Sequence, residues 1–505
     1  MALPLLSNFK LQSMKTIKSF IYITIVIALS ASCTKQLELE PVSSISTSSF
    51  WKTEDDANGA VTGMYIRLRS VTSTNLFIWG ESRSQDMKQS IGNDFTNIRN
   101  FNNTLDPTVA GPDWSSVYQV INDVNLILKY LPTISFKSDA TKNKYLAEAY
   151  TMRAYCYFIM AKTWGDLPLV TDPTEGYDPS VIYKERTPVA DIFTQIKNDI
   201  AQGLSLFSDN SFATGRNRWS KPALNALKGD VFLWTAKKLN GGNEDLTTAL
   251  SALNDVEAAD VQLLGDFGRI FDYDNKGNKE ILMANNFLLN ETGSTFMQNM
   301  YIDGYPPNSD PAAVAIIGAV GGANYWTLTD DTRQKFKPED LRRTATYTEL
   351  YSYDEATSGY TKFYGCIQRK FDGMINAGAR TFIDDVVLYR YADVLLMKAE
   401  AQNALSQDPS DAMNKVRKRA FGSNFSGNEF VSGSKEDNDK AILEERLLEF
   451  LYEGKYWWDI LRFNKASELI PYFQNNPGDT YKYLWPLSLD ILSKEPKVKQ
   501  NPGYQ

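Results

Sequence analysis

Apolar positions recur mainly at helical spacing along this chain. In "TKNKYLAEAYTMRAYCYFIMAKTWGDLPLV", Tyr150, Ala154, Tyr157, Phe158, Ala161 and Trp164 form one stripe, punctuated by Gly165 and Pro168. The same period predicts helices in "TEDDANGAVTGMYIRLRS", "DWSSVYQVINDVNLILKYLP", "TPVADIFTQIKNDIAQGLSLF" and "SKPALNALKGDVFLWTAKKLN". Thr53 is placed to cap the first, and Glu54, Asp55 and Asp56 load its positive end. A proline near the first turn of the last two is harmless, because the N–H there has no helical partner. Helical spacing returns in "DVVLYRYADVLLMKAEAQNALS", "DPSDAMNKVRKRAF" and "NDKAILEERLLEFLYEGKYWWDILRF". Along Leu388, Tyr391, Ala392, Leu395 and Ala399, large and small side chains alternate, which lets paired helices approach closely as in tetratricopeptide hairpins.

Between about residues 260 and 380 the period fades into Gly, Asn, Pro and aromatics, which predicts loops, short strands and a few short helices. The expected architecture is mostly α: tetratricopeptide-like helical hairpins with an irregular, loop-rich part. The stretches divide as 33–260 (N-terminal helical), 261–380 (irregular) and 381–505 (C-terminal helical).

One strongly apolar run, Phe20–Leu29, precedes all of this. It is half the roughly twenty residues a membrane span needs. Lys15 and Lys18 lie before it and Ser30, Ala31 and Ser32 after it, the layout of a signal peptide over residues 1–32, with Met14 an alternative start. Cys33 stands where a bacterial lipoprotein is cleaved and acylated, although Ser30 occupies the place where such signals usually carry Leu. The polar "TKQLELEP" that follows reads as a tether. The expected attachment is therefore to a membrane surface, through a lipid on Cys33.

Composition narrows the chemistry. The formal net charge is −8, and removing residues 1–32 takes three lysines and no acid, which moves it to −11. An acidic chain without a basic stripe excludes nucleic acid as a partner. The absence of His removes the Ser-His-Asp triad and the commonest zinc ligand together. Beyond Cys33 only Cys156 and Cys366 remain, too few for a disulfide scaffold, and Cys156 sits in a helical stripe as a small hydrophobe would. Aromatics are abundant, with 27 Tyr, 26 Phe and 10 Trp, a supply of rings suited to flat apolar faces of a ligand.

The motifs in order are "LELEP", "SSFWKTEDDANGAVTGMY", "WSSVYQVINDVN", "EAYTMRAYCYFIMAKTWGDLPLV", "LYRYADVLLMKAEAQNAL", "MNKVRKRAFG", "ILEERLLEFLYEGKYWWDILRF" and "PLSLDILSKEPKVKQNPGY". With the cysteine before them, this series resembles the SusD/RagB-like outer-membrane nutrient-binding lipoproteins over most of the chain. It departs from the family pattern at Leu447, Leu448 and Lys455. The resemblance implies a helical fold with tetratricopeptide-like hairpins, a place beside a TonB-dependent (SusC-like) transporter, capture of glycans or, in some branches, peptides, and no catalysis.

Glu445, Glu449 and Glu453 lie on one helical stripe. Paired carboxylates serve glycosidases, but Arg446 can pair with Glu449, and the expectation is a structural ion network that also includes Arg462, near Trp457, Trp458 and Asp459. "DYDNKGNKE" at 272–280 fails as a calcium loop, since Lys276 holds the fifth position and Met283 the twelfth, and reads as a turn. "GAVGGAN" at 318–324 lacks the Lys-Ser/Thr of a phosphate loop and reads as a flexible turn. No catalytic residue, metal ligand or cofactor is expected.

The ligand-binding candidates are Trp79, Tyr305, Tyr325 and Trp326, aromatics in irregular stretches, with Asn324 to bond sugar hydroxyls. The function expected is binding of oligosaccharide nutrients for delivery to the transporter. A surface-anchored glycoside hydrolase and a peptide-binding member of the same family are the alternatives.

Overall fold

The computed structural model describes residues 50–92, 98–291 and 295–504; the predicted signal peptide and Cys33 lie outside them. The longer helices are α1 (Glu54–Thr72), α2 (Ser115–Tyr130), α3 (Asp139–Trp164), α4 (Val189–Leu206), α5 (Lys221–Lys238), α6 (Gly242–Glu257), α7 (Tyr391–Ala404), α8 (Ser410–Phe421) and α9 (Lys435–Phe450). Neighbours in sequence pack on each other: α1 on α2, α2 on α3, α3 on α4, α5 on α6, α7 on α8. α6 also packs on α7, which ties the two helical stretches into one body. The fold is mostly α, with the hairpin character that the periodicity predicts.

Local chemistry explains the boundaries. Thr53 caps α1 in a capping box: Asp56 N–H donates to Thr53 Oγ1 at 3.2 Å, and Thr53 N–H to Asp56 Oδ2 at 2.8 Å. Ser220 accepts from Ala223 N–H at the start of α5. Helix α3 departs from its predicted single stripe, because α2 and α4 flank it and every residue from Thr151 to Trp164 is buried. Charges in this stretch are buried in pairs, as burial demands: Arg153 forks onto Asp199 at 2.8 and 2.7 Å.

Strands supply the irregular part. All pair antiparallel and two by two: β1 (Met87–Gln89) with β3 (Trp326–Leu328), β2 (Ile281–Asn285) with β8 (Val386–Arg390), β4 (Tyr347–Asp354) with β5 (Gly359–Gln368), and β6 (Met374–Asn376) with β7 (Ala379–Thr381). Strand β8 is buried throughout and runs straight into α7, so the strand region shares the helices' core. The 272–280 stretch is one 3-10 turn, Tyr273–Asn275, followed by further turns; Lys276 Nζ donates to the carbonyls of Phe287 and Ile383 and pairs with Asp385 at 2.7 Å. Cys156 and Cys366 are buried free thiols. Among the described residues no helix is long and apolar enough to cross a membrane.

Candidate functional site

The glycine-rich 318–324 segment is not a flexible turn. Gly321 and Gly322 N–H both donate to Ile302 O, at 3.2 and 2.9 Å; Ala323 N–H donates to Gln298 O, Asn324 N–H to Tyr301 O and Tyr325 N–H to Asn299 O, at 2.8–2.9 Å. On its other side Arg380 N–H donates to Val320 O at 2.9 Å. The glycines permit this close approach. A Cβ on Gly322 would stand 2.0 Å from Tyr301 O, and one on Gly92 2.5 Å from Asn324 O. The segment is a strap, clamped between the 298–302 turn and β7.

Asn324 is the strap's lock. It adopts φ +53° and is buried. Its Oδ1 accepts from Ser90 Oγ at 3.0 Å, and its Nδ2 donates to Tyr364 Oη at 3.1 Å. Ser90 and Gly92 N–H donate to the carbonyls of Tyr325 and Asn324, at 2.7 and 2.9 Å, extending the β1–β3 pair. One buried amide thereby ties β1, β3 and β5 together. Above it the Tyr325 and Tyr364 rings are half-buried and Asp303 is exposed. Burial raises the Tyr364 hydroxyl's pKa and the Asp303 carboxylate raises it further, against the hydrogen bond from Asn324. Two ring faces with a carboxylate at hand can cover the C–H face of a sugar and accept from its hydroxyls.

The five candidate residues divide. Asn324 and Tyr325 meet at this patch. Tyr305 is half-buried on the same 301–310 loop, and its hydroxyl donates to Gly318 O at 2.6 Å, past the end of the short helix Pro311–Ile317. Trp79 and Trp326 are core residues. Trp79 lies in the short helix Asn75–Gly80, 0% exposed, its Nε1 donating to Pro112 O at 2.9 Å and its ring against Trp164. Trp326 is 1% exposed, stacked on Phe77 at 5.4 Å and edge-on to Phe101 at 6.0 Å. Irregular sequence did not make them solvent-facing, because these indoles plug the joint between strands and helices.

The hairpin β4–β5 carries aromatics that the sequence reading passed over. Tyr353 and Tyr360, 41% and 44% exposed, pack edge-on at 5.7 Å; Tyr351 and Phe363 follow at 5.4 Å, with Arg333 over the Phe363 ring. The loop that holds Tyr305 runs along this hairpin, Asp310 N–H donating to Tyr351 O and Tyr353 N–H to Asn308 O. Their signal was the alternation of "YTELYSYD" and "GYTKFYGCIQ" about a Gly-bearing turn.

The glutamate stripe is sealed inside an ion network. Glu449 faces Arg390 at 2.5 Å, Arg342 at 3.1 Å and Arg419; Glu445 faces Arg342 and Arg417, both at 2.7 Å; Glu453 faces Arg390 at 2.8 Å and Lys370 at 2.6 Å. Glu280 completes the shell around Arg390 and Arg419, and Asp340 that around Arg342. These cations hold the Glu453 carboxyl down to about 2 and Glu449 lower still, against the burial that raises both. Arg446 pairs with Asp459 at 2.8 Å rather than with Glu449. Arg462 joins Asp459, Glu400 and Asp230 at 2.9–3.2 Å, and Lys237 pairs with Glu400. No carboxylate of the stripe is free to meet a substrate.

Comparison with known proteins agrees with this architecture. The model of the SusD family matches residues 322–504, and that described as "Starch-binding associating with outer membrane" matches residues 37–233. A SusD superfamily protein from Bacteroides vulgatus is 31% identical, with 90% of this chain and all of that one covered and a TM-score of 0.77. SusD-like protein P38 of Formosa agariphila is 27% identical over 541 residues, covering 98% of this chain and all of its own. A laminarin binding SusD-like protein shares the fold at 21% identity, covering 90% of this chain and 100% of its own, with a TM-score of 0.74. The chain belongs to the SusD family.

Proposed function

We propose that this protein is an outer-membrane surface lipoprotein that binds oligosaccharides, without cleaving them, and delivers them to a TonB-dependent transporter. The observation that carries the reading is two half-buried tyrosines beside one buried amide: Tyr364, whose hydroxyl accepts from Asn324, and Tyr325, which follows Asn324 in the chain. Rigid rings lose little freedom on meeting a ligand, and sugars offer them apolar faces. The family description that names starch and the outer membrane, and the laminarin binding of a fold neighbour, support the same ligand class and location. The engagement of Glu445, Glu449 and Glu453 with arginine and lysine favours binding over hydrolysis.

The test is calorimetric titration of protein lacking residues 1–33 against a glycan panel, with chromatography of the products. Tyr325→Ala and Tyr364→Ala should each weaken binding by about 1–3 kcal/mol while melting remains cooperative. Released sugar, or binding of peptides alone, overturns the reading. The anchor is tested separately: in a Gram-negative host the wild type should fractionate with outer membranes and Cys33→Ser should not. The transporter is tested by pull-down from native membranes in mild detergent, which should recover a large β-barrel protein; repeated recovery of the lipoprotein alone defeats the delivery role.

A further inference from the structure

Two buried carboxyl groups, Glu81 and Asp86, stand where the chain leaves the short helix Asn75–Gly80 for β1. This segment is packed tightly on the turn between α9 and the helix Tyr456–Arg462: a Cβ on Gly80 would stand 1.9 Å from Gly454 O. Glu81 holds that turn. Its Oε1 accepts from Tyr452 N–H at 3.1 Å, and its Oε2 from Lys455 and Tyr456 N–H at 2.8 and 3.3 Å. Tyr452 sits at φ +72°, where a residue with a side chain stays only if its surroundings hold it. Asp86 holds the other side. Its backbone C=O accepts from Thr329 N–H at 3.0 Å, at the foot of the β1–β3 pair.

Neither carboxyl has a cation. Among the described residues no lysine or arginine forms an ion pair with Glu81 or Asp86. Arg83 gives its Nε to Asn103, the Lys455 ammonium turns to Asp393 at 2.6 Å, and Lys88 faces Asp330 at 3.8 Å. The other ionisable groups nearby are the hydroxyls of Tyr452 and Tyr456 and, across the neighbouring groove, Glu444, Asp331 and the exposed Lys335.

The two carboxyl groups hydrogen-bond to each other instead. Two acceptors meet in this way only when one of them carries a proton. Asp86 Oδ2 is buried and receives no donor from the protein. Ser84 Oγ reaches both Glu81 O, at 2.6 Å, and Asp86 Oδ1, yet has one proton to give. Burial and the Asp86 carboxylate together raise Glu81 well above the usual carboxylate range.

We propose that Glu81 and Asp86 share one proton at neutral pH, and that this protonated pair is a pH-sensitive clip seating the root of β1 on the 452–456 turn. A groove of about 940 Å³ runs along Ser84–Gln89 and brings solvent to the Asp86 side, so the proton has a way out at alkaline pH. Two charges then face each other without a cation, and the clip opens. Four residues on, Ser90 holds Asn324 and Tyr325. If that patch is the glycan site, as proposed above, opening the clip weakens capture.

The unfolded chain ionises both carboxyls above pH 5, so unfolding releases the shared proton and the wild-type urea midpoint should fall from pH 6 to pH 8. Asp86→Asn puts an amide donor where the proton was, and Glu81→Gln does so from the other side. Both variants should fall less steeply, by one proton, and infrared difference spectra at pH 7.5 should show each lacking one protonated-carboxyl band of the wild type. Equal slopes in all three proteins, or no band lost, overturns the shared proton. Calorimetric glycan affinity of the wild type should drop about fivefold or more from pH 7 to pH 9, and that of Asp86→Asn should not. Equal drops overturn the coupling to the patch. Absence of glycan binding at every pH defeats the glycan reading instead, and the urea and infrared results still decide the clip.

Discussion

Arg390→Met should lose about 3–5 kcal/mol of folding stability, read as a lower urea midpoint at pH 7. The guanidinium is fully buried and meets three carboxylates, Glu280, Glu449 and Glu453, at 2.5–2.8 Å. Removing it leaves those carboxylates in a low-dielectric interior with fewer partners, and the uncompensated charge, more than the lost attraction, sets the size of the loss. The double variant Arg390→Met/Glu453→Gln should recover part of it, because one orphaned charge is then neutral. A single variant as stable as the wild type would show that this network holds nothing together.

The same network gives the stability a pH profile with a definite sign. The Glu400 and Glu453 carboxyls are held down to about 2, from 4.5 for a free glutamate, by the arginines and lysines that face them. A depressed carboxyl contributes stability that is present above 4.5 and lost as pH falls toward 2. Asp86 and Asp384 work in the opposite direction. Burial pushes them up to about 6 and 7 from 3.8, so folding is favoured as they take up protons below neutrality. The urea midpoint should therefore be greatest near pH 5 and fall steeply below 4.5. A midpoint that stays level from pH 5 to pH 2.5 contradicts the assignment.

Much of the helical frame was legible because an amphipathic stripe states both the element and the face it buries. Thr53 with the three acids after it marked the start of α1, and the stripe marked a helix in close contact with its neighbours from Tyr391 to Ala399, whereas Leu388, read into the same stripe, belongs to β8. Helix α3 was legible as a helix but not as a central one, since Arg153 and Lys162 look like a polar face until Asp199 and Asp230 are brought to them. The strap was misread for a physical reason. Glycine in sequence signals either freedom or close approach, and only the carbonyl of Tyr301 packed against Gly322 decides between them. At the candidate site, irregular context is what singled out Asn324 and Tyr325 in the sequence. Tyr364 was missed because it comes from a strand of the hairpin, where half the side chains face inward, and the face it takes depends on the register with β4.

Trp326→Ala should cost about 3–5 kcal/mol of stability, the loss expected when a large buried aromatic is removed. The indole fills the joint between Phe77 of the helical body and Phe101, and the residues beside it in β3, Thr327 and Leu328, are buried as well. The void left by alanine cannot close readily, because the strap on one side is fixed by backbone hydrogen bonds and the β1–β3 pair on the other by its register, Gln89 opposite Trp326. Glycan affinity should fall only as a consequence, through loss of order in Asn324 and Tyr325, and Trp326→Phe, which refills part of the space, should recover stability and affinity together. Tyr325→Ala should behave in the opposite manner, keeping most of its stability while binding weakens, because its ring is only half-buried. Urea unfolding and calorimetric titration on the three variants separate the two roles. If Trp326→Ala keeps its urea midpoint and loses the glycan, the indole touches the ligand directly and its place in the core is wrong.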